Sequence, residues 1–305
     1  MDSAASQASI RHRLCRAFHA GLALPHGTEA HLAGALRDTL QRPGSMVRAE
    51  LAFRVACAFA MSEDRAENLA VAIEYFHTAS LLFDDLPAMD DATLRRGMPC
   101  AHHVYGEGAA ILAALALINR AYSLVWKSLS GLQPEVQAAA LTYLERHLGI
   151  AGLLNGQSQD LHYSPFAYDP QSIAMGKTVS LIRLALVLPA IAAHARPEET
   201  RRLERLAIFW GLSYQTLDDL KDVLHAGDLH GKTAARDAFL GRPNLALSIG
   251  IPESFDRIDR LMNLAGRVIA RLTSGRARLA FLREVRVQFN REIASLSEAS
   301  LTRAS

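Results

Sequence analysis

Cysteine is scarce in this 305-residue chain: Cys15, Cys57 and Cys100 are an odd number, widely spaced, with no Cys-x-x-Cys pair. That excludes a zinc ribbon, a thioredoxin-type redox centre and a disulfide framework, and leaves reduced, buried thiols as the plain expectation. An excess of one charge is also missing. Lysine and arginine number 33 against 31 aspartates and glutamates, so no global field recommends nucleic acid or an acidic membrane as partner. The N-terminus, MDSAASQASIRHRLCRAF, lacks a charged-then-apolar signal arrangement. The most apolar stretches are expected to be interrupted well short of a spanning helix, for example by Asn119 and Arg120. A cytoplasmic protein without stable membrane insertion follows as the expectation. Runs of β-branched residues in period-two alternation are scarce as well, which argues against an extensive sheet.

What is abundant is apolar surface at helical spacing. Leu51, Val55, Ala58 and Phe59 share one face, as do Leu203, Leu206, Ile208 and Phe209, and half of the chain is apolar. The fold class read from this is all-α. Breaks near Pro25, Pro43, Gly97 to Pro99, Pro134, Pro165, Pro170, Pro197 and Pro252 divide the chain into roughly ten helical stretches. In Asp169-Pro170 the aspartate can cap and the proline fits the first turn. From about Leu224 to Leu240 the chain is polar and glycine-bearing, and reads as a loop. Length alone leaves one large bundle and two domains equally open.

Two acidic clusters stand out. In Leu81-Leu82-Phe83-Asp84-Asp85-Leu86-Pro87-Ala88-Met89-Asp90-Asp91, four carboxylates directly follow an apolar run. Like charges this close repel unless something neutralises them. Pro87 disrupts the helix and can turn Asp90 back toward Asp84. In Tyr214-Gln215-Thr216-Leu217-Asp218-Asp219-Leu220-Lys221-Asp222, Asp218 and Asp222 are one helical turn apart on a shared face that can hold a hard cation. Magnesium suits it, since Mg²⁺ takes oxygen ligands and uses one or two carboxylates plus substrate phosphates. A solvated helix face explains one such cluster about as well. Requiring that explanation twice in one helical chain weakens it, and two clusters on different helices of a bundle can face a common cavity. Arg95 and Arg96 follow the first cluster, and their guanidinium forks match phosphate oxygens. Lys177 with Thr178, and Lys232, are further phosphate contacts in this reading. His102 and His103, adjacent on one helix, are expected to point apart and to lack the i,i+4 pairing of a metal site.

These motifs resemble those of the trans-isoprenyl diphosphate synthases, over roughly residues 30 to 295. The resemblance rests on His77 through Asp91, Leu94-Arg95-Arg96-Gly97, Gly156-Gln157 with Asp160, Lys177-Thr178, Tyr214-Gln215 before Asp218 to Asp222, and Gly231-Lys232. It implies one prenyl diphosphate synthase domain over residues 1–305, a single large helical bundle around a central cavity, working as a homodimer. By resemblance Asp84, Asp85, Asp90, Asp218, Asp219 and Asp222 would hold about three Mg²⁺ ions, a ligation magnesium favours. Arg95, Lys177 and Lys232 would clamp an allylic prenyl diphosphate. Arg48, His77 and Arg96 would hold isopentenyl diphosphate, and Thr178 and Gln215 would line the path of a carbocation. In this family a large aromatic four or five residues before the first aspartate closes the product tunnel early. Those positions are Ser80 and Ala79, both small, which points to geranylgeranyl diphosphate (C20) rather than farnesyl diphosphate (C15).

Three segments depart from the family pattern. Where a lysine of the isopentenyl diphosphate site is usual, this chain has Ser45, a loss of about 1 to 3 kcal/mol for a charged hydrogen bond. The late segment reads Gly241-Arg242-Pro243-Asn244-Leu245-Ala246, similar to the form in carotenoid-pathway synthases. Ala114-Leu115-Ala116-Leu117 lacks a family aspartate without an evident physical reason. The Ser45 departure keeps open a terpene cyclase or diphosphate lyase that needs no second substrate, and a product that ends at C15 would make the protein a farnesyl diphosphate synthase. A regulatory subunit is disfavoured because both aspartate clusters are intact.

Overall fold

A computed structural model of the chain describes residues 2–224 and 241–304. Lys232 and nearly all of the loop expected from Leu224 to Leu240 lie outside the described residues. The chain divides into two compact units, Met1–Ala139 and Ala140–Ser305. The all-α expectation holds in each.

The first unit is built from α1 (Asp2–Ala20), α2 (Ala30–Gln41), α3 (Val47–Ala58), α4 (Glu63–Asp84), α5 (Ala101–Tyr105) and α6 (Glu107–Leu129). Helix α4 is its axis and packs chiefly against α6 and α3. Ala66, Leu69, Ala70, Ile73, Tyr75, Phe76 and Ala79 are buried on several sides of it, and an apolar surface all round is what a core helix requires. Pro87 lies in the turn where α4 ends. The chain doubles back there, with the Asp90 N–H donating to the Asp84 carbonyl at 2.9 Å and the Ala92 N–H to the Asp85 carbonyl at 3.1 Å. A two-residue hairpin follows, β1 (Leu94–Arg95) antiparallel to β2 (Met98–Pro99). Its turn places Arg96 at φ 55° and Gly97 at φ 76°, the double positive φ that matches strand twist in a tight hairpin. The sequence reading took Gly97 to Pro99 as a simple helix break, because strands of two residues carry no readable periodicity.

α7 (Pro134–Leu148) leads into the second unit, which holds α8 (Leu153–Leu161), α9 (Pro170–Ala174), α10 (Ser180–Leu186), α11 (Leu188–Ala192) and α12 (Pro197–Leu224). After these come α13 (Leu245–Ile249), α14 (Ile251–Gly275) and α15 (Phe281–Ala304). Asp169 caps α9 as expected, accepting from the N–H groups of Gln171 and Ser172. Between α9 and α10 the helix widens into a π turn, Met175–Val179, a device often found where a helix re-aims side chains. Helix α12 packs on α14 and on this π turn. Gly211 permits the second contact, since a Cβ there would lie 2.8 Å from Val179 Cγ2.

One sequence expectation is corrected. The stretches Glu107–Leu129 and Pro170–Ala192 are each long and apolar enough to cross a membrane. Asn119 and Arg120 do not interrupt α6, because two polar positions are outweighed by the leucines and alanines around them. The second stretch is mostly buried in its own unit. Helix α6 buries only one face, and Leu112, Leu115, Tyr122 and Trp126 are exposed on the other.

Candidate active site

The first aspartate cluster caps α4. Asp84 and Asp90 are half-buried and joined through the backbone bond given above, so Pro87 does return Asp90 to the helix end. Asp85 points the other way. Only 3% exposed, its Oδ1 accepts from Nε and Nη2 of Arg95 at 2.6 and 2.5 Å. Successive helix residues are turned about 100° from each other, so the two adjacent aspartates meet different surroundings.

Beneath this end lie the bases. The Arg48 guanidinium sits 3.1 Å from Nε2 of His77. Arginine has only donors, so Nε2 is the acceptor and the ring proton is on Nδ1. Burial, reinforced by the charges of Arg48, Arg96 and Arg95, pushes the His77 pKa well below its usual value, and the imidazole is neutral. Its Nδ1 is buried without a partner among the described residues. Arg96 lies over Gly44, where a Cβ would meet the guanidinium at 2.3 Å, and donates to the Arg42 carbonyl at 3.3 Å. Gly44 has φ 70°, so only glycine fits both the turn and the stacking. Ser45 beside it is exposed. Sequence reasoning missed Glu74, a fully enclosed carboxylate that accepts from the Ala49 N–H at 3.2 Å. Burial raises its pKa, and the Arg48 charge opposes that rise. Of the two tunnel positions, Ala79 is wholly buried, while Ser80 is half-buried with its hydroxyl donating to the His77 carbonyl at 2.8 Å.

In the second unit Asp218 is exposed and Asp222 half-buried, one turn apart on α12. Asp219 is buried, like Asp85, and accepts from Gln215 Nε2 at 2.8 Å and from the Leu245 N–H at 2.8 Å. The Thr178 hydroxyl donates to Gln215 Oε1. Lys177 donates to Asp160 Oδ2 at 2.6 Å, and Arg242 reaches the Asp160 carbonyl at 3.0 Å. These groups sit on the π turn and α8, which touch backbone to backbone: a Cβ on Gly156 would lie 2.4 Å from the Lys177 nitrogen. Arg242 and Asn244 were seen in the sequence only as a departure, since nothing local signals that they reach back to Asp160 and Asp219.

The sequence reading grouped Asp85 and Asp219 with the metal ligands, yet each carboxylate is committed to neighbours within its own unit. Asp84, Asp90, Asp218 and Asp222 are the more open oxygen donors. Among the described residues no three acidic, histidine or cysteine side chains cage an ion on their own. Hard, scattered carboxylates fit Mg²⁺, which takes one or two from the protein and completes its shell with phosphate and water. His102 and His103 are also corrected: their rings lie over one another, with centroids 4.2 Å apart, rather than pointing apart. Burial and the neighbouring His103 lower the pKa of His102.

A family model described as polyprenyl synthetase matches residues 29–269. Geranylgeranyl pyrophosphate synthase 3 of Arabidopsis thaliana, a chloroplastic protein, is 36% identical over 234 residues, which are 74% of this chain and 65% of the relative. The chain thus spans just under two thirds of that plant protein. Geranylgeranyl diphosphate synthase of Pantoea ananas is 33% identical over 281 residues, 90% of each chain. A solved geranyltransferase of Helicobacter pylori, complexed with magnesium and isoprenyl diphosphate, shares the fold with a TM-score of 0.80 at 24% identity, over 93% of this chain and 96% of that one. Two aspartate clusters, their arginine and lysine partners, and these matches lead to one conclusion: the chain belongs to the polyprenyl synthetase family.

Proposed function

We propose that the protein is a Mg²⁺-dependent prenyltransferase that joins isopentenyl diphosphate to an allylic prenyl diphosphate and releases geranylgeranyl diphosphate. The observation that carries the reading is the bonded pair Thr178 and Gln215, with Lys177 next to one and Asp218 and Asp222 near the other along α12. Neutral oxygen dipoles set among groups that hold a diphosphate suit a carbon that becomes cationic as pyrophosphate leaves. Two relatives that are geranylgeranyl diphosphate synthases, at 36% and 33% identity, support the C20 product.

When bound, Mg²⁺ (about three ions) supplies Lewis-acid neutralisation of the departing diphosphate. Asp84, Asp90, Asp218 and Asp222 would hold it. Arg95 and Lys177 add fixed positive charge, each kept in place by a carboxylate, Asp85 or Asp160. Lys232 would join them by resemblance. Arg48, Arg96 and the Nδ1–H of neutral His77 donate to isopentenyl diphosphate. As the allylic C–O bond breaks, Thr178 and Gln215 turn oxygen lone pairs to the cation. The double bond of isopentenyl diphosphate forms the new C–C bond, and the proton lost afterwards passes to pyrophosphate. Water must be kept out throughout, or the cation is hydrolysed. Ser80, small and half-buried, leaves room for the growing tail.

Assembly as a homodimer belongs to the same proposal, supported by the exposed apolar face of α6, which a second copy would cover. So does a cytoplasmic location, which suits cysteines that form no disulfide. The test is incubation with Mg²⁺ and farnesyl diphosphate, with and without labelled isopentenyl diphosphate, followed by mass spectrometry of the dephosphorylated products. Label in a C20 alcohol, abolished by EDTA, supports the synthase. A hydrocarbon or alcohol formed without isopentenyl diphosphate would move the protein to the cyclase or lyase class. Light scattering at twice 33.3 kDa would support the dimer.

A further inference from the structure

We infer that Asp219 is a positioning residue: its carboxylate fixes the side-chain amide of Gln215 so that the oxygen, and not the NH₂ group, is turned to Thr178 and the path of the cation. The inference rests on the prenyltransferase reading above and assigns a task to an aspartate that the motif alone would give to metal.

A glutamine amide has two ends of nearly equal shape and opposite polarity, so something must choose between them. Here Gln215 Nε2 donates to Asp219 Oδ1 at 2.8 Å. The reversed amide would set its oxygen against a carboxylate, acceptor against acceptor. With the amide held this way, Oε1 accepts the Thr178 proton, and the hydroxyl's lone pairs are left to face elsewhere. Carboxylate, amide and hydroxyl form three dipoles in series with their negative ends in one sense, an arrangement in which each bond strengthens the next. An N–H at the end of this chain would oppose a carbocation, whereas an oxygen favours it.

Asp219 is itself held from the far side. Its Oδ2 accepts from the Leu245 N–H at 2.8 Å and its carbonyl from Asn244 Nδ2 at 3.2 Å. Asn244, 4% exposed, also caps α13 by accepting from the Leu247 N–H at 3.0 Å. The segment Arg242 to Leu245, one of the three places where the sequence leaves the family pattern, is therefore the buttress of this relay. It acts on Asp219 through a backbone N–H and a cap rather than through a charged side chain.

The test compares wild type with Asp219→Ala, Asp219→Asn and Leu245→Pro, with Asp218→Ala as the metal-ligand reference. Leu245 is the first residue of its helix and Asn244 has φ −130°, ψ 115°, so proline removes the N–H without straining the fold. Losing Asp219 should lower kcat on the order of 10- to 100-fold, the scale of a mispositioned group, and raise the fraction of allylic diphosphate trapped by water. KM and the Mg²⁺ midpoint should stay near wild type, while Asp218→Ala shifts the Mg²⁺ midpoint. Leu245→Pro should change the same quantities in the same direction by less, and it decides the matter if Asp219→Ala does not fold. A Mg²⁺ midpoint that moves in Asp219→Ala as in Asp218→Ala, or an unchanged kcat, overturns the inference. An independent readout is the ¹⁵N-labelled side-chain amide of Gln215. Its protons should be displaced and slow to exchange in wild type and lose both properties in Asp219→Ala, and identical signals would overturn the assignment. Failure of wild type to form the C–C bond would defeat the prenyltransferase reading instead, and the amide signals would still decide the geometry.

Discussion

Asp85 Oδ1 receives both Nε and Nη2 of Arg95, at 2.6 and 2.5 Å, and so ties the hairpin after α4 to the end of that helix. In the pairs Asp84-Asp85 and Asp218-Asp219 the second aspartate is thus turned inward, Asp85 to an arginine and Asp219 to a glutamine and a backbone N–H. If Asp85 works as an anchor, Asp85→Ala destabilises the protein even without Mg²⁺. The cost should be about 1 to 2 kcal/mol, at the low end for a charged hydrogen bond, because the Arg95 side chain is 35% exposed. Asp85→Asn should recover part of it. Denaturant midpoints in EDTA measure this, and unchanged midpoints would return Asp85 to a purely metal-binding role.

Gly156 allows α8 to meet the π turn that carries Lys177 and Thr178. In Gly156→Ala the added Cβ would lie 2.4 Å from the Lys177 nitrogen and 2.6 Å from the Gly176 carbonyl carbon. Backbone cannot yield as a side-chain tip can, so α8 must move. The expected result is a loss of roughly 1 to 3 kcal/mol of stability, the range for overpacking, together with a reduced kcat. Chemical denaturation and steady-state kinetics on one preparation would test both.

Acid should weaken the fold well before its carboxylates protonate. His147 is buried against Tyr143, ring centroids 4.4 Å apart, and burial, assisted by Arg183, holds its pKa down to about 4 from 6.5. The unfolded chain takes up a proton near 6.5 and the folded chain only near 4, so this contribution is full above 6.5 and is lost as pH falls toward 4. His77, shifted the same way, adds to the effect. Unfolding midpoints from pH 7 to 4 should fall more steeply for wild type than for His147→Phe, which keeps the tilted ring contact without the titration.

Ser80 and Ala79 separate as probes of product length. Ala79 is wholly enclosed, so Ala79→Phe should overpack α4 and unfold or destabilise the protein by roughly 1 to 3 kcal/mol. Ser80 is half-buried, so Ser80→Phe should fold and shorten the product from C20 to C15. Mass spectrometry of the products checks it, and an unaltered C20 product would remove Ser80 from the tunnel.

Much of the fold was readable because it is locally encoded. Pro134, Pro170, Pro197 and Pro252 do stand in the first turn of helices, and Asp169 is a cap, as their side-chain chemistry requires. The Leu94 to Pro99 hairpin and the π turn at Met175 to Val179 were not readable. The first is too short for a pattern, and the second is a change of hydrogen-bond register that composition does not record. Among the candidate site residues, the bases and acids were legible as types. Their partners Glu74, Arg242 and Asn244 were not, because each is an ordinary residue until its contact is known.

By itself the sequence determined the helical class, the order of the elements, the two aspartate clusters and the family to which they belong, since periodicity, capping and motif spacing are properties of neighbours along the chain. The tertiary structure alone decided that Asp85 and Asp219 turn inward rather than Asp84 and Asp218, which nitrogen of His77 carries the proton, and which end of the Gln215 amide meets Thr178. Those choices are made by burial and by partners distant in sequence, such as the Leu245 N–H on Asp219, and a hydrogen bond across that separation exists only once the helices have packed.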